Sequence, residues 1–103
     1  MKNTFGDTIK RLREANNLTL REVAQVLDID TSMLGKIEKN TRTPTLKFIE
    51  QVAQIFKVSE KQLRIDYLSD MIVYHVVHEE ECAEEVLKAA KKKIVYLKEI
   101  KST

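Results

Sequence analysis

Glycine, proline, cysteine and tryptophan are nearly missing from this chain of 103 residues, which holds two Gly, one Pro, one Cys and no Trp. Hairpins and sandwiches need Gly and Pro in their turns, so the scarcity of both argues against a β-rich fold and for helices. Cys82 stands alone, which excludes an intrachain disulfide and fits a reducing compartment. No stretch approaches the ~18 consecutive apolar residues that span a bilayer, and the N-terminus shows no apolar leader. The expected location is therefore the cytoplasm, with no membrane as partner. A strong charge of one sign is missing as well: the net charge is +2, too little to name a partner. Nor is there a glycine loop to cradle phosphate, an H-E-x-x-H segment, or a nucleophile paired with a base. An enzyme is not expected, and neither is a cofactor.

What remains is an ordinary globular balance, 43% apolar and 33% charged. A chain of this length buries a modest core, so self-association is a natural way to gain stability. Charge is unevenly spread. Residues 1–66 carry 12 Lys/Arg against 9 Asp/Glu, and residues 67–103 carry 6 against 7, which makes the front part the better candidate for meeting phosphates.

Helical periodicity dominates the front part. Phe5, Ile9 and Leu12 predict a helix from Thr4 to Ala15, with Thr4 able to cap it and Asn16-Asn17 ending it. Thr19-Leu20-Arg21-Glu22 has the capping-box pattern, and Leu20, Val23, Ala24 and Leu27 give the second helix one apolar face. Asp30 is a candidate N-cap for a third helix, Thr31–Lys39, whose Leu34 and Ile37 point inward while Ile29 plugs the preceding turn. Thr31, Ser32, Met33 and Lys36 are left on its outer side. Pro44-Thr45 starts a fourth helix, striped by Leu46, Ile49, Val52, Ala53 and Phe56. After Val58-Ser59, a fifth short helix is predicted over Glu60–Arg64 with Leu63 inward. The predicted fold class is thus all-α: a compact five-helix bundle over 1–66, followed by a helical extension over 67–103.

In the extension, Met71–Val77 is rich in β-branched and aromatic residues and can be a strand or a helix capped by Ser69 or Asp70. Helix is preferred, because no partner strand is visible. From Glu80 to Lys101, Ala83, Leu87, Ala90, Ile94 and Leu97 alternate steps of four and three, the seam of a short coiled coil. Glu79, Glu80, Glu81, Glu84 and Glu85 load its start and Lys91, Lys92, Lys93, Lys98 and Lys101 its end, the order the helix dipole favours.

The stretch LTLREVAQVL followed by DIDTSMLGKIEKNTRTPTLKFIEQVAQIFKVSEKQL resembles the Cro/repressor-like (XRE-type) helix-turn-helix family. Ala24, Ile29, Ile37-Glu38, Pro44-Thr45-Leu46, Ala53 and Val58-Ser59 stand where that family places its marker residues. The resemblance implies a lambda-repressor-like bundle that binds double-stranded DNA and regulates transcription. It also implies base reading by Thr31, Ser32 and Lys36, whose hydroxyls and ammonium suit the donor/acceptor code of the major groove. Met33 can touch a thymine methyl group or simply pack on the core, and Thr31 and Ser32 can equally be helix-start residues. Thr19, Arg21, Lys39, Asn40 and Arg42 match phosphate-contacting places, where the bland alternative is a solvated surface charge. Arg13 and Glu38 match a structural ion pair. Leu20 departs from the pattern, since many relatives carry Gln there. Gly35 costs roughly 1 kcal/mol in mid-helix and serves either close packing or clearance for DNA.

One such helix reads few base pairs, so a homodimer on a palindromic operator is expected, joined through Ala83, Leu87, Ala90, Ile94 and Leu97. The alternatives for that seam are packing within the chain, or a partner protein bound by the C-terminal region as in an antitoxin-type autoregulator. His75, His78 and Cys82 lie near one helix face, but their spacing fits no zinc pattern, and no metal is expected.

Overall fold

The computed structural model describes residues 4–102 and shows six helices, with no strand among the described residues. They are α1 (Phe5–Ala15), α2 (Leu20–Leu27), α3 (Thr31–Glu38), α4 (Leu46–Phe56), α5 (Glu60–Val76) and α6 (Ala83–Ser102). The chain divides into two compact units, Met1–Asp70 and Met71–Thr103. Among the described residues, no helix is long and apolar enough to cross a membrane.

Local chemistry sets the helix starts in the first unit. The Thr4 side chain accepts from the Asp7 N–H at 3.1 Å, and the Asp7 carboxylate takes the Thr4 N–H in return. The Thr19–Glu22 box repeats this reciprocal arrangement at 3.1 and 2.9 Å, satisfying donors that an uncapped helix leaves bare. Thr45 caps α4 and Ser59 caps α5 through the Phe48 and Gln62 N–H groups. Asp30 occupies the N-cap of α3 as expected; its side chain makes no capping hydrogen bond, so what it supplies is negative charge at the positive helix end.

The core gathers one face from each of the five helices: Phe5 and Ile9, then Val23, Ala24 and Leu27, then Leu34 and Ile37, then Phe48, Ile49, Val52 and Ala53, and finally Leu63. Helix α3 packs on both α1 and α2, and α2 also packs on α4. Phe5 meets Phe48 and Tyr67 edge to face, at centroid distances of 6.4 and 5.6 Å, a geometry the ring quadrupoles favour.

Two expectations about the tail are corrected. The fifth helix does not end at Arg64 but runs on to Val76, so Ser69 and Asp70 lie inside it and start no separate helix. Residues 60–76 contain neither Gly nor Pro. Extending a nucleated helix costs less than starting a new element, so the β-branched run stays helical. Asp70 instead accepts the Phe5 N–H at 2.7 Å, at the start of α1. The last helix begins at Ala83 rather than Glu80, with Glu80–Cys82 in a turn, so only Glu84 and Glu85 sit in its first turn. No residue of α6 is buried.

Candidate nucleic-acid interface

Helix α3 owes its position to its inner side. Leu34 and Ile37 are sealed in the core, which fixes both the height and the rotation of this two-turn element. The turn before it is set by Asp28 in the left-handed conformation (φ 56°). From there the Ile29 N–H donates back to the Ala24 carbonyl at 3.0 Å, and Ile29 packs against the core.

A buried ion pair locks α3 from behind. Arg13 Nε and Nη2 donate to the two Glu38 carboxylate oxygens at 2.8 and 3.0 Å, and Nη1 donates to the Leu18 carbonyl at 3.0 Å. Glu38 is only 7% exposed. Its carboxylate raises the Arg13 pKa above the ordinary arginine value, so this guanidinium stays protonated. One side chain of α1 thereby holds the end of α3 and the loop before α2, a fork geometry lysine does not offer.

A second latch was not visible in the sequence. Asn40, left-handed at φ 62°, turns its amide inward: its Oδ1 accepts the Gly6 N–H at 3.0 Å and its Nδ2 donates to Thr4 Oγ1 at 2.8 Å. Gly6 is required there. A Cβ at that position would collide with the Glu38 carbonyl and lie 2.7 Å from both Asn40 Oδ1 and the Ile37 carbonyl. Asn40 was expected at a phosphate through the Asn40-Thr41 backbone. Its side chain is committed within the chain, so only its backbone is left for an outside ligand.

With α3 so held, Thr31, Ser32 and Lys36 are all exposed. Met33 is half-buried against the core and also reaches the surface. Asp30, Ser32, Met33, Lys36 and Arg42 together line a shallow depression of about 170 Å³, which brings Arg42 beside the expected base-reading residues. Lys39, the C-cap of α3, lies with Lys10, Leu20, Gly35 and Asn40 around another depression of about 450 Å³. Thr19 and Arg21 are exposed at the start of α2.

Two open questions from the sequence receive answers. A Cβ on Gly35 would meet nothing within 4 Å, so close packing inside the chain does not explain this glycine. Leu20 is half-buried against the core and shares a depression with Gly35, an apolar role where a Gln was the family habit. Among the described residues no group of three His, Cys, Asp or Glu side chains is placed to hold a metal ion.

The helix-turn-helix family model matches residues 9–63, just over half of the chain. An uncharacterized HTH-type transcriptional regulator of Bacillus subtilis (strain 168), YazB, is 30% identical over 59 residues, covering 57% of this chain and 86% of that protein. The HTH-type transcriptional regulator SinR of the same organism is 34% identical over 56 residues, covering 53% of this chain but only 50% of SinR. Among solved structures, one chain of a SinR protein/SinI protein complex superposes with a TM-score of 0.55 at 26% identity. That match covers 97% of this chain and 100% of that one.

Proposed function

The chain belongs to the helix-turn-helix family, and from that membership we propose that it is a transcriptional regulator that binds duplex DNA as a homodimer on a palindromic operator. Its relatives YazB and SinR bear the names of transcriptional regulators, a class that works by binding rather than catalysis. The observation that carries the proposal is the disposition of α3. Its inner side is sealed and its C-terminal end is latched, while Thr31, Ser32 and Lys36 stand free on the outer side. The major groove admits one α-helix, and short hydroxyls with one cation suit its base edges.

In this role Thr31, Ser32 and Lys36 read bases, with Met33 against a thymine methyl. Gly35 provides clearance for the duplex. Thr19, Arg21, Lys39, Arg42 and the Asn40 backbone hold phosphates, fixing register rather than sequence. Arg13 and Glu38 act through the position of α3 and touch no base. A dimer supplies the second half-site that one short helix cannot, about 34 Å away. The seam Ala83, Leu87, Ala90, Ile94, Leu97 joins the copies. Domain roles follow, with 1–66 binding DNA and 67–103 associating.

A second reading has one observation in its favour. The solved SinR protein/SinI protein complex contains a chain that matches nearly the whole of this one. By that analogy the C-terminal region receives a partner protein, as in an autoregulator of antitoxin type. Selecting bound duplexes from a random pool with the purified chain tests the first reading. Enrichment of a twofold-symmetric site with half-sites about one helical turn apart is the expected result. An asymmetric single site overturns the dimer, and no enrichment overturns DNA recognition.

A further inference from the structure

We propose that α6 is a self-complementary pairing face whose occupant is the α6 of a second copy running antiparallel, so that Glu84 meets Lys98 of the partner subunit on both sides of the dyad. This rests on the homodimer reading above and adds to it the direction and register of pairing.

The helix runs 20 residues from Ala83 to Ser102 with nothing buried, a rod of about 30 Å, close to three heptads. Leu87, Ile94 and Leu97 are 45%, 54% and 54% exposed, so the seam is open from Leu87 onward. Its flanks carry Glu84, Lys91 and Lys98 on one side and Val86 and Lys93 on the other. Among the described residues, neither Glu84 nor Lys98 is in an ion pair within the chain.

Two directions are open to a pair of such helices. In the parallel one, identical seam residues meet, so Ala90 faces the partner's Ala90 and leaves a gap. Lys93 then lies against Lys98 of the partner subunit, twice by symmetry, and no pair of opposite charge forms. Acidic ends lie together and basic ends lie together, with the helix dipoles aligned.

The antiparallel direction, with its dyad beside Lys92, removes most of these conflicts. Leu87 packs on the partner's Leu97, and small Ala90 packs on the partner's larger Ile94, which fills the space. Glu84 meets the partner's Lys98 twice. Lys91 and Lys93 each face their own copy near the dyad, so two like-charge contacts remain, now offset by two attractive ones. The Glu84-Glu85 end lies over the partner's lysine-rich end, and the dipoles oppose. Flanking charges choose partner and direction in helix pairs of this kind.

Charge reversal separates the possibilities. Sedimentation equilibrium on the full chain, with circular dichroism to follow helix content, is expected to show Lys98→Glu weakening the dimer by roughly tenfold. The double variant Glu84→Lys/Lys98→Glu is expected to return to within about threefold of the parent. That recovery is diagnostic, because both changes set charges against the dipole of their own helix. A dimer that Lys98→Glu tightens, or leaves unchanged, overturns the antiparallel order while the homodimer stands. A parent chain that stays monomeric at about 100 µM removes the homodimer and this arrangement together, and leaves the face to a foreign helix.

Discussion

Replacing Arg13 with Ala removes three donors from the Glu38 carboxylate and the Leu18 carbonyl at once. The magnitude follows from where the survivors are left. The Glu38 side chain is 6% exposed, and the Arg13 side chain that covers it is 13% exposed. Breaking a buried pair from one side strands a charge and costs about 3–5 kcal/mol. The slight exposure of Arg13 places the expectation near the lower end, about 3 kcal/mol, or a fall in melting temperature of about 12 °C or more for a domain of this size. The assay is urea unfolding followed by far-ultraviolet circular dichroism at fixed chain concentration. A control isolates the cause: Arg13→Met/Glu38→Leu removes both charges and keeps the volume. Without a stranded carboxylate, at least half of the loss should return. A cost below about 1 kcal/mol for Arg13→Ala, or a double variant no better than the single, would refute the argument.

Gly6→Ala drives a methyl into the carbonyls of Ile37 and Glu38. Thermal unfolding should show a loss of about 1–3 kcal/mol, the usual cost of overpacking against groups that cannot yield. Thr19→Ala should cost about 1 kcal/mol through its cap, measured by the same unfolding assay. The Thr19 N–H and then its hydroxyl hold the Glu22 pKa below the usual glutamate value, and the Thr4 hydroxyl does the same for Asp7. Both folded values therefore lie below the unfolded ones, so their stabilisation is complete above the unfolded pKa and lost as pH falls through the folded one. Carboxyl NMR titration should place both midpoints low and show Glu22 rising partway in Thr19→Ala, which removes the hydroxyl but keeps the backbone N–H; an unmoved Glu22 contradicts the hydroxyl's share. In duplex-binding assays, Lys36→Ala should relax base preference. Arg42→Ala should weaken binding to every sequence and lower the salt slope by about one unit.

The first four helices were legible because their signals are local. Caps at Thr4, Thr19 and Thr45, and apolar steps of three and four, act within a turn or two of the residues that show them. The Thr4–Asp7 box escaped notice because its third helical residue is Asp rather than the usual Glu. The end of the fifth helix was misplaced for a related reason: Arg64 to Asp70 offers polar residues but no breaker, and polarity alone does not stop a helix. What stayed hidden was long-range. Gly6, Asn40 and Asp70 act across 34 and 65 positions of chain, and no periodicity marks the approach of the Ile37 and Glu38 carbonyls to α1. The outer residues of α3 were legible as exposed, but their grouping with Arg42 came only with the turn geometry. Open space at Gly35 likewise appears only once α3 is seated.

The most direct test of the account is NMR amide-shift mapping on the full chain as a duplex selected from the random pool is added. The largest changes should fall at Thr31, Ser32 and Lys36, with a second group at Thr19, Arg21, Lys39 and Arg42. Changes concentrated on α4 or α6, with Thr31 to Lys36 unmoved, would contradict the claim that the outer side of α3 enters DNA.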